Sequence, residues 1–330
     1  MNDLFENSLA DSLGKLAETA PLAPDADRIL AALGRRKARR IGWAALTLTT
    51  CASALAVLLI FVYIFREAWP FFSRQSLSAM LGSVRWYPTA GEAEFGALAL
   101  LAGSAYVTAG ALLVAGPLGL LAAVFLSDIA PFGVRQVAKP LVEILAAIPS
   151  VAYGFFAVQV MAPWMQARWG LSTGANALNA SLILGVMAIP TIVSISEDAL
   201  SAVGRDLREG AYALGATRSE MILTVLIPAA HSGIIAAIIL GIMRAIGETM
   251  VVWMASGNAN QIPSPWWDLT QSVRTVTATI AAEMSETPKG SSHYHALFAL
   301  GLILLAITFG LNLASERFLA RAKRGEGGKR

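Results

Sequence analysis

Six stretches of this chain are long and apolar enough to cross a lipid bilayer, and no other feature limits its architecture so severely. They run at about 42–65, 97–126, 141–161, 178–196, 231–256 and 296–314. A helix needs roughly 20 apolar residues to span the hydrocarbon. In that solvent only helices and closed barrels satisfy their own backbone groups. With 56% hydrophobic and 14% charged residues, 330 residues do not make one water-soluble globule. The expected fold is therefore an all-α polytopic membrane protein with six transmembrane helices. Gly116-Pro117 is a candidate kink in the long second stretch, and Pro149 and Pro190 loosen the third and fourth.

Basic residues set the expected orientation. Of the 25 Lys and Arg, 18 lie in segments 1–40, 127–140, 197–230 and 315–330. Six lie in 66–95, 162–177 and 257–295, and Arg244 alone falls within a span. That bias places both termini in the cytoplasm. It also explains a pI of 9.1 without nucleic acid, because the charge clusters at span ends. Residues 1–40 read as a cytoplasmic extension, with Leu4, Leu9, Leu13 and Leu16 at near-helical spacing, then Pro21 and Pro24. The alternative is an amphipathic helix lying on anionic lipid. The basic cluster Arg35–Arg40 holds the first transmembrane helix, 41–66, in place. It comes late and no small-residue cleavage site follows, so no signal peptide is expected. Residues 317–330 form a basic tail. Cys51 is the single cysteine and lies in an apolar run, which excludes an intrachain disulfide.

Between the fourth and fifth stretches lies a polar island, RDLREGAYALGATRSEMILTVLIP, residues 205–228. Asp206 with Glu209 and Thr217 with Glu220 each have the spacing of a helix-start capping pair. Gly215 sits where a helix must end in a left-handed conformation, and Pro228 is expected to stop the second helix. The outcome is a compact helix–turn–helix knuckle at one membrane face. The stretch resembles the cytoplasmic coupling loop of bacterial ABC-transporter permeases: Glu-Ala-Ala, three residues, Gly, nine residues, Ile, any residue, Leu, Pro. Glu209, Ala211, Gly215 and Pro228 match, while Gly210, Val225 and Ile227 are small or aliphatic replacements. In that family the loop docks on a separate ATPase subunit.

The fifth stretch, GIMRAIGETMVVWMASGN, carries Arg244 and Glu248 four residues apart. On a continuous helix they share a face and can pair. Arg244 then sits roughly 20 Å into the bilayer at 1.5 Å per residue. Ionisable groups at that depth nearly always face a polar path or a partner. Two readings stand: a substrate path, or a salt bridge locking helices together. Gly241, Ala245 and Gly247 thin the helix beside them. No Gly-x4-Gly-Lys-Ser/Thr occurs, so ATP chemistry belongs to a partner. His231, His293 and His295 have no cysteine companions, and the last two are expected to be solvated, with no metal site. Trp69, Trp86, Trp266 and Trp267 suit an aromatic belt at the membrane interface.

RAIGETMVV, LVEILAAIPSVAYGFF, SLILGVMAIPTIVSISEDAL and FGALALLAGSAYVTAGALLVAGPLGLLAAVFLSDIAP resemble the spans of phosphate-specific ABC permeases. The likeness covers residues 95–316, the permease core of five helices with its coupling loop at 205–228. It favours the PstC type, within the binding-protein-dependent permease family of the type I importer (MetI-like) fold. The resemblance implies a subunit of an ATP-driven phosphate importer, located in the bacterial inner membrane and not itself an enzyme. It implies Arg244 and Glu248 on the substrate path, and Glu209, Gly210, Ala211, Gly215 and Pro228 in the coupling loop. The implied partners are a PstA-type permease, a dimer of PstB-type ATPases binding ATP and Mg, and an extracytoplasmic PstS-type phosphate-binding protein. Segments 66–95 and 257–295 are candidates for receiving that protein. Two alternatives are a permease for sulfate, molybdate or an amino acid, and a channel or secondary transporter working without ATP.

Overall fold

A computed structural model of the chain describes residues 24–327, with side chains for 42–317. The leucine-bearing stretch before Pro21 and the side chains of Arg35–Arg40 and of the tail beyond Arg317 lie outside the described residues. Helix α1 (Pro24–Phe72) carries the first apolar segment, Gly42–Phe72. Up to Tyr63 it belongs to one compact unit, and from Ile64 the chain forms a second. In the first unit, Trp43, Leu48 and Leu58 are exposed, as suits a helix in lipid. The hydroxyls of Thr47, Thr49 and Thr50 donate to carbonyls four residues back, so none is left unpaired.

The second unit opens with α2 (Leu77–Gly82) and a two-stranded antiparallel pair, β1 (Trp86–Tyr87) and β2 (Glu94–Phe95). Helix α3 (Leu98–Val124) runs into a π-helical turn, Phe125–Ile129. Helices α4 (Phe132–Ala147), α5 (Ser150–Phe156) and α6 (Ala162–Trp169) follow, with a π turn at Ala157–Met161. Then come α7 (Ala177–Ser201), α8 (Arg205–Ala213) and α9 (Arg218–Glu220). A third π turn, Met221–Leu226, leads into α10 (Ile227–Ile246). The chain closes with α11 (Met250–Ala255), α12 (Val276–Met284) and α13 (Ser292–Gly327).

Among the described residues five helices are long and apolar enough to cross a membrane, or six if the bent pair Phe132–Ala147 and Ser150–Trp169 counts as one. That pair corrects the expectation of one continuous third span at 141–161. The chain bends by 87° at Ile148-Pro149. The proline ring excludes the helical conformation from the residue before it, and Ile148 is accordingly extended, φ −62°, ψ 128°.

The most extensive helix pair is α3 with α7. Lipid offers little hydrophobic drive for helices to associate, so close packing has to come from small residues at the contact. A Cβ at Gly119 would meet Ile192 Cγ2 at 2.8 Å, and one at Gly185 would meet the Ala111 carbonyl at 3.0 Å. One apolar cluster, with Val107, Tyr153, Leu184, Met187 and Val252, joins α3, α5, α7 and α11. A second lies under the knuckle: Leu200, Ala211, Met221, Leu226 and Ile234. A third fills the opposite end, around Trp86, Phe95, Leu100 and Leu297. Buried Asn179 links α7 to the π turn, its amide donating to the carbonyls of Ala157 at 3.0 Å and Gly174 at 2.9 Å.

Candidate functional site

The knuckle forms where the polar island does, with two corrections. Helix α8 is preceded by Gly204, whose lack of a side chain leaves the start uncapped, and Asp206 lies inside the first turn instead of capping it. The turn itself is as read: Gly215 has φ +84°, and Ala216 N donates to Ala211 O at 3.1 Å. The Thr217–Glu220 capping box is complete, with Thr217 N donating to Glu220 Oε2 at 2.8 Å and Glu220 N to Thr217 Oγ1 at 3.3 Å. Pro228, however, does not stop the second helix. The π turn ahead of it shifts the ladder, so that Ile227 N reaches Ile222 O five residues back. The ring then sits in the first turn of α10, where its missing N–H costs nothing. Helical structure is therefore unbroken over Arg218–Ile246.

One face of the knuckle is buried at Ala211, Met221 and Ile222. The other exposes Glu209, Gly210 and Tyr212, with Leu214 exposed to 91% at its tip. An ion pair ties it to the end of α3. Arg208 donates to Asp128 Oδ1 at 2.6 Å and to the Leu200 carbonyl at 2.7 Å, and Arg218 donates to the Asp128 carbonyl. Asp128 is almost fully buried, its side chain 4% exposed. A second clamp on this face joins α4 to α7: buried Glu197 pairs with Arg135 and, at 2.8 Å, with Lys139. Neither pair was expected. The available signal is a carboxylate at the close of each apolar segment, Asp128 in one and Glu197 beside Asp198 in the other, with basic residues in the neighbouring polar stretches.

The fifth span departs most from expectation. Helix α10 ends at Ile246, and Gly247, Glu248 and Thr249 form a break before α11. Arg244 and Glu248 are therefore not on one helix and do not pair. Glu248 Oε1 instead accepts from Met250 N at 3.1 Å and Val251 N at 3.4 Å, capping α11. Arg244, in the last turn of α10, is exposed, and no hydrogen bond or ion pair to it is found among the described residues.

On the face opposite the knuckle a carboxylate gathers four segments. Glu283 pairs with Arg274 at 2.7 Å and His293 Nε2 at 2.7 Å, and accepts from Trp86 Nε1 at 2.9 Å. His293 and His295 are thus not solvated; they lie in the first turn of α13, and His295 Nδ1 is 2.7 Å from the Glu67 carbonyl. Trp86 is no interface-belt residue either: it is 2% exposed and packs edge-on against Phe95. Trp69, Trp266 and Trp267 are exposed. Beside the last two, hydrogen bonds from Thr270 first and then Gln271 hold the Asp268 carboxyl below its ordinary range.

The helices define a multi-pass membrane protein, and the knuckle leaves one face exposed. Residues 115–324 match the family described as binding-protein-dependent transport system inner membrane component, and the chain belongs to that family. It is 39% identical over 243 residues to a probable ABC transporter permease protein, YqgH, of Bacillus subtilis, covering 74% of this chain and 78% of that one. It is 35% identical over 294 residues to the phosphate transport system permease protein PstC of Mesorhizobium japonicum, covering 82% and 88% respectively. The PstC of Haemophilus influenzae is 32% identical over 262 residues, covering 73% and 81%. Among solved structures, an inward-facing MetNI methionine ABC transporter chain aligns with a TM-score of 0.50 at 19% identity, covering 69% of this chain and 94% of that one. That last likeness concerns the fold alone, which is that of the MetI-like permeases. The chain is a multi-pass inner-membrane transport subunit.

Proposed function

We propose that this chain is a permease subunit of an ATP-driven phosphate importer, forming half of the substrate path. The observation that carries the reading is the knuckle: its packing buries Ala211 while leaving Glu209, Gly210 and Leu214 free for another protein. The phosphate transport permeases to which the chain is similar supply the substrate. The knuckle face is cytoplasmic, with both termini on that side, and docks on a dimer of PstB-type ATPases that bind ATP and Mg. A PstA-type permease completes the path, and a PstS-type binding protein delivers phosphate to the opposite face.

Arg244 and Glu248 are assigned to the path. A guanidinium offers planar donors to phosphate and sulfate alike. Only phosphate, near neutral pH, brings a proton to a carboxylate. Glu248 Oε1 is engaged by α11, while no hydrogen bond or ion pair to Oε2 is found among the described residues, which leaves Oε2 for that proton. A sulfate ion meets uncompensated negative charge there and is rejected.

The test is uptake by reconstituted complexes of wild type, Arg244→Ala and Glu248→Gln. Losing a charge-assisted contact to the transported ion predicts that Arg244→Ala lowers uptake roughly a hundredfold while the complex still assembles. Glu248→Gln keeps part of the phosphate uptake and lets sulfate compete better. Normal uptake by Arg244→Ala removes both residues from the path.

A further inference from the structure

The break at Gly247–Thr249 leaves backbone groups that no helix satisfies. The N–H groups of Met250 and Val251 are met by the Glu248 carboxylate. The carbonyl of Glu248 lies outside both helices, since the first carbonyl serving α11 is that of Thr249, which accepts from Trp253 N at 2.9 Å. It is met from 29 residues away: Thr277 Oγ1 donates to Glu248 O at 2.8 Å. Inside a membrane an unmet carbonyl is costly, and a hydroxyl from a neighbouring helix is the usual remedy.

Thr277 is itself firmly held. It is 8% exposed, in the first turn of α12, whose start is capped by Thr275 Oγ1. Val276 N donates to Ser104 Oγ of α3 at 3.0 Å, and Gly103 of α3 lies directly against the Arg274 backbone. At its other end α12 carries Glu283, bound to Trp86, Arg274 and His293. One short helix therefore joins the ion-paired layer on the face opposite the knuckle to the backbone of Glu248.

We propose that Thr277 is a positioning residue for phosphate passage: its hydroxyl fixes the carbonyl of Glu248 and thereby the register of the Arg244–Glu248 break. The proposal rests on the placing of Arg244 and Glu248 on the path, and the Arg244→Ala measurement tests that placing separately.

The experiment compares Thr277→Val, Thr277→Ser and wild type as full complexes with ATPase, second permease and phosphate-loaded binding protein. Phosphate uptake and ATP hydrolysis are measured together over a range of binding-protein concentrations. Loss of one buried hydrogen bond predicts that Thr277→Val lowers the maximal uptake rate about tenfold. Its half-saturating binding-protein concentration stays unchanged, and less phosphate moves per ATP hydrolysed. Thr277→Ser, which keeps the hydroxyl, restores that ratio. If uptake and ATP hydrolysis fall in proportion, or if Thr277→Ser is as defective as Thr277→Val, the hydroxyl does not position the path and the proposal is overturned. Should Thr277→Val fail to assemble, Thr277→Ala is read in its place. If neither assembles while Thr277→Ser does, Thr277 is a folding element only and the proposal falls. An intact Arg244→Ala alongside a defective Thr277→Val would overturn the path placing and leave Thr277 supporting something else.

Discussion

Glu220 and Glu248 perform the same local chemistry 28 positions apart, each accepting backbone N–H groups at the start of a helix. Their surroundings differ. Glu220 is exposed in the knuckle, and its partner Thr217 lies three residues away. Glu248 is half buried within a span, and its carbonyl needs a hydroxyl from a different helix. Where water reaches, a cap is one of several ways to satisfy a helix end. Where burial limits it, the cap and its remote support carry more of the load. The knuckle should therefore owe its shape less to its cap than to Gly215 and to the Asp128–Arg208 pair.

The largest effect is expected from Arg208→Ala. Removing one partner leaves Asp128 buried and uncompensated, at a cost of about 3 kcal/mol. Hydrogen exchange over α8 should rise, and the ATPase should be lost on purification. Adding Asp128→Ala should recover part of that loss, because the stranded charge goes with it. Unchanged exchange in Arg208→Ala would mean that the pair does not hold the knuckle.

Gly215→Val comes next. A β-branched side chain at φ +84° costs about 1–3 kcal/mol. Nothing lies within 4 Å of the new Cβ, so the penalty is conformational and not steric. Insertion should be normal, with uptake lost and ATPase co-purification weakened. Full uptake by this variant would separate the knuckle from coupling altogether.

The smallest effect is expected from Glu220→Ala, because this cap is exposed and water can take its place. Uptake should stay within a few-fold of wild type, read in the same reconstituted system. A collapse comparable to that of Gly215→Val would show that water does not substitute for this cap, and the contrast with Glu248 would dissolve.

What could be read from the sequence divides along the same line. The left-handed Gly215 and the Thr217–Glu220 box depend on residues within four positions of each other, and both form as read. Pro228 and Gly247 depart from expectation in opposite senses. A proline ordinarily ends a helix, but a π turn absorbs this one. A glycine is ordinarily tolerated within a helix, but here the chain breaks because Glu248 and Thr277 together replace the lost ladder. The second decision depends on a hydroxyl 29 residues away, beyond any local pattern. Separations of 80 and 62 residues hid the pairs of Asp128 with Arg208 and Glu197 with Arg135, and Glu283 meets His293 from a different helix ten residues away.

The unbroken stretch Arg218–Ile246 has a mechanical consequence. At 1.5 Å per residue, 29 residues make a rod of about 43 Å. Its lower end is the knuckle and its upper end carries Arg244. A tilt of roughly 10° at the knuckle swings the far tip by about 7 Å on a rod of that length. Glu248 lies past the break and is held from two sides, its carbonyl by Thr277 of α12 at 2.8 Å and its N–H by the Ala245 carbonyl of the rod at 3.3 Å. On the proposed docking, a force applied at the knuckle would reach Arg244 along the rod, whereas Glu248 would be restrained by Thr277 as well. In the proposed path, those are the two groups that would flank an anion with a proton to give.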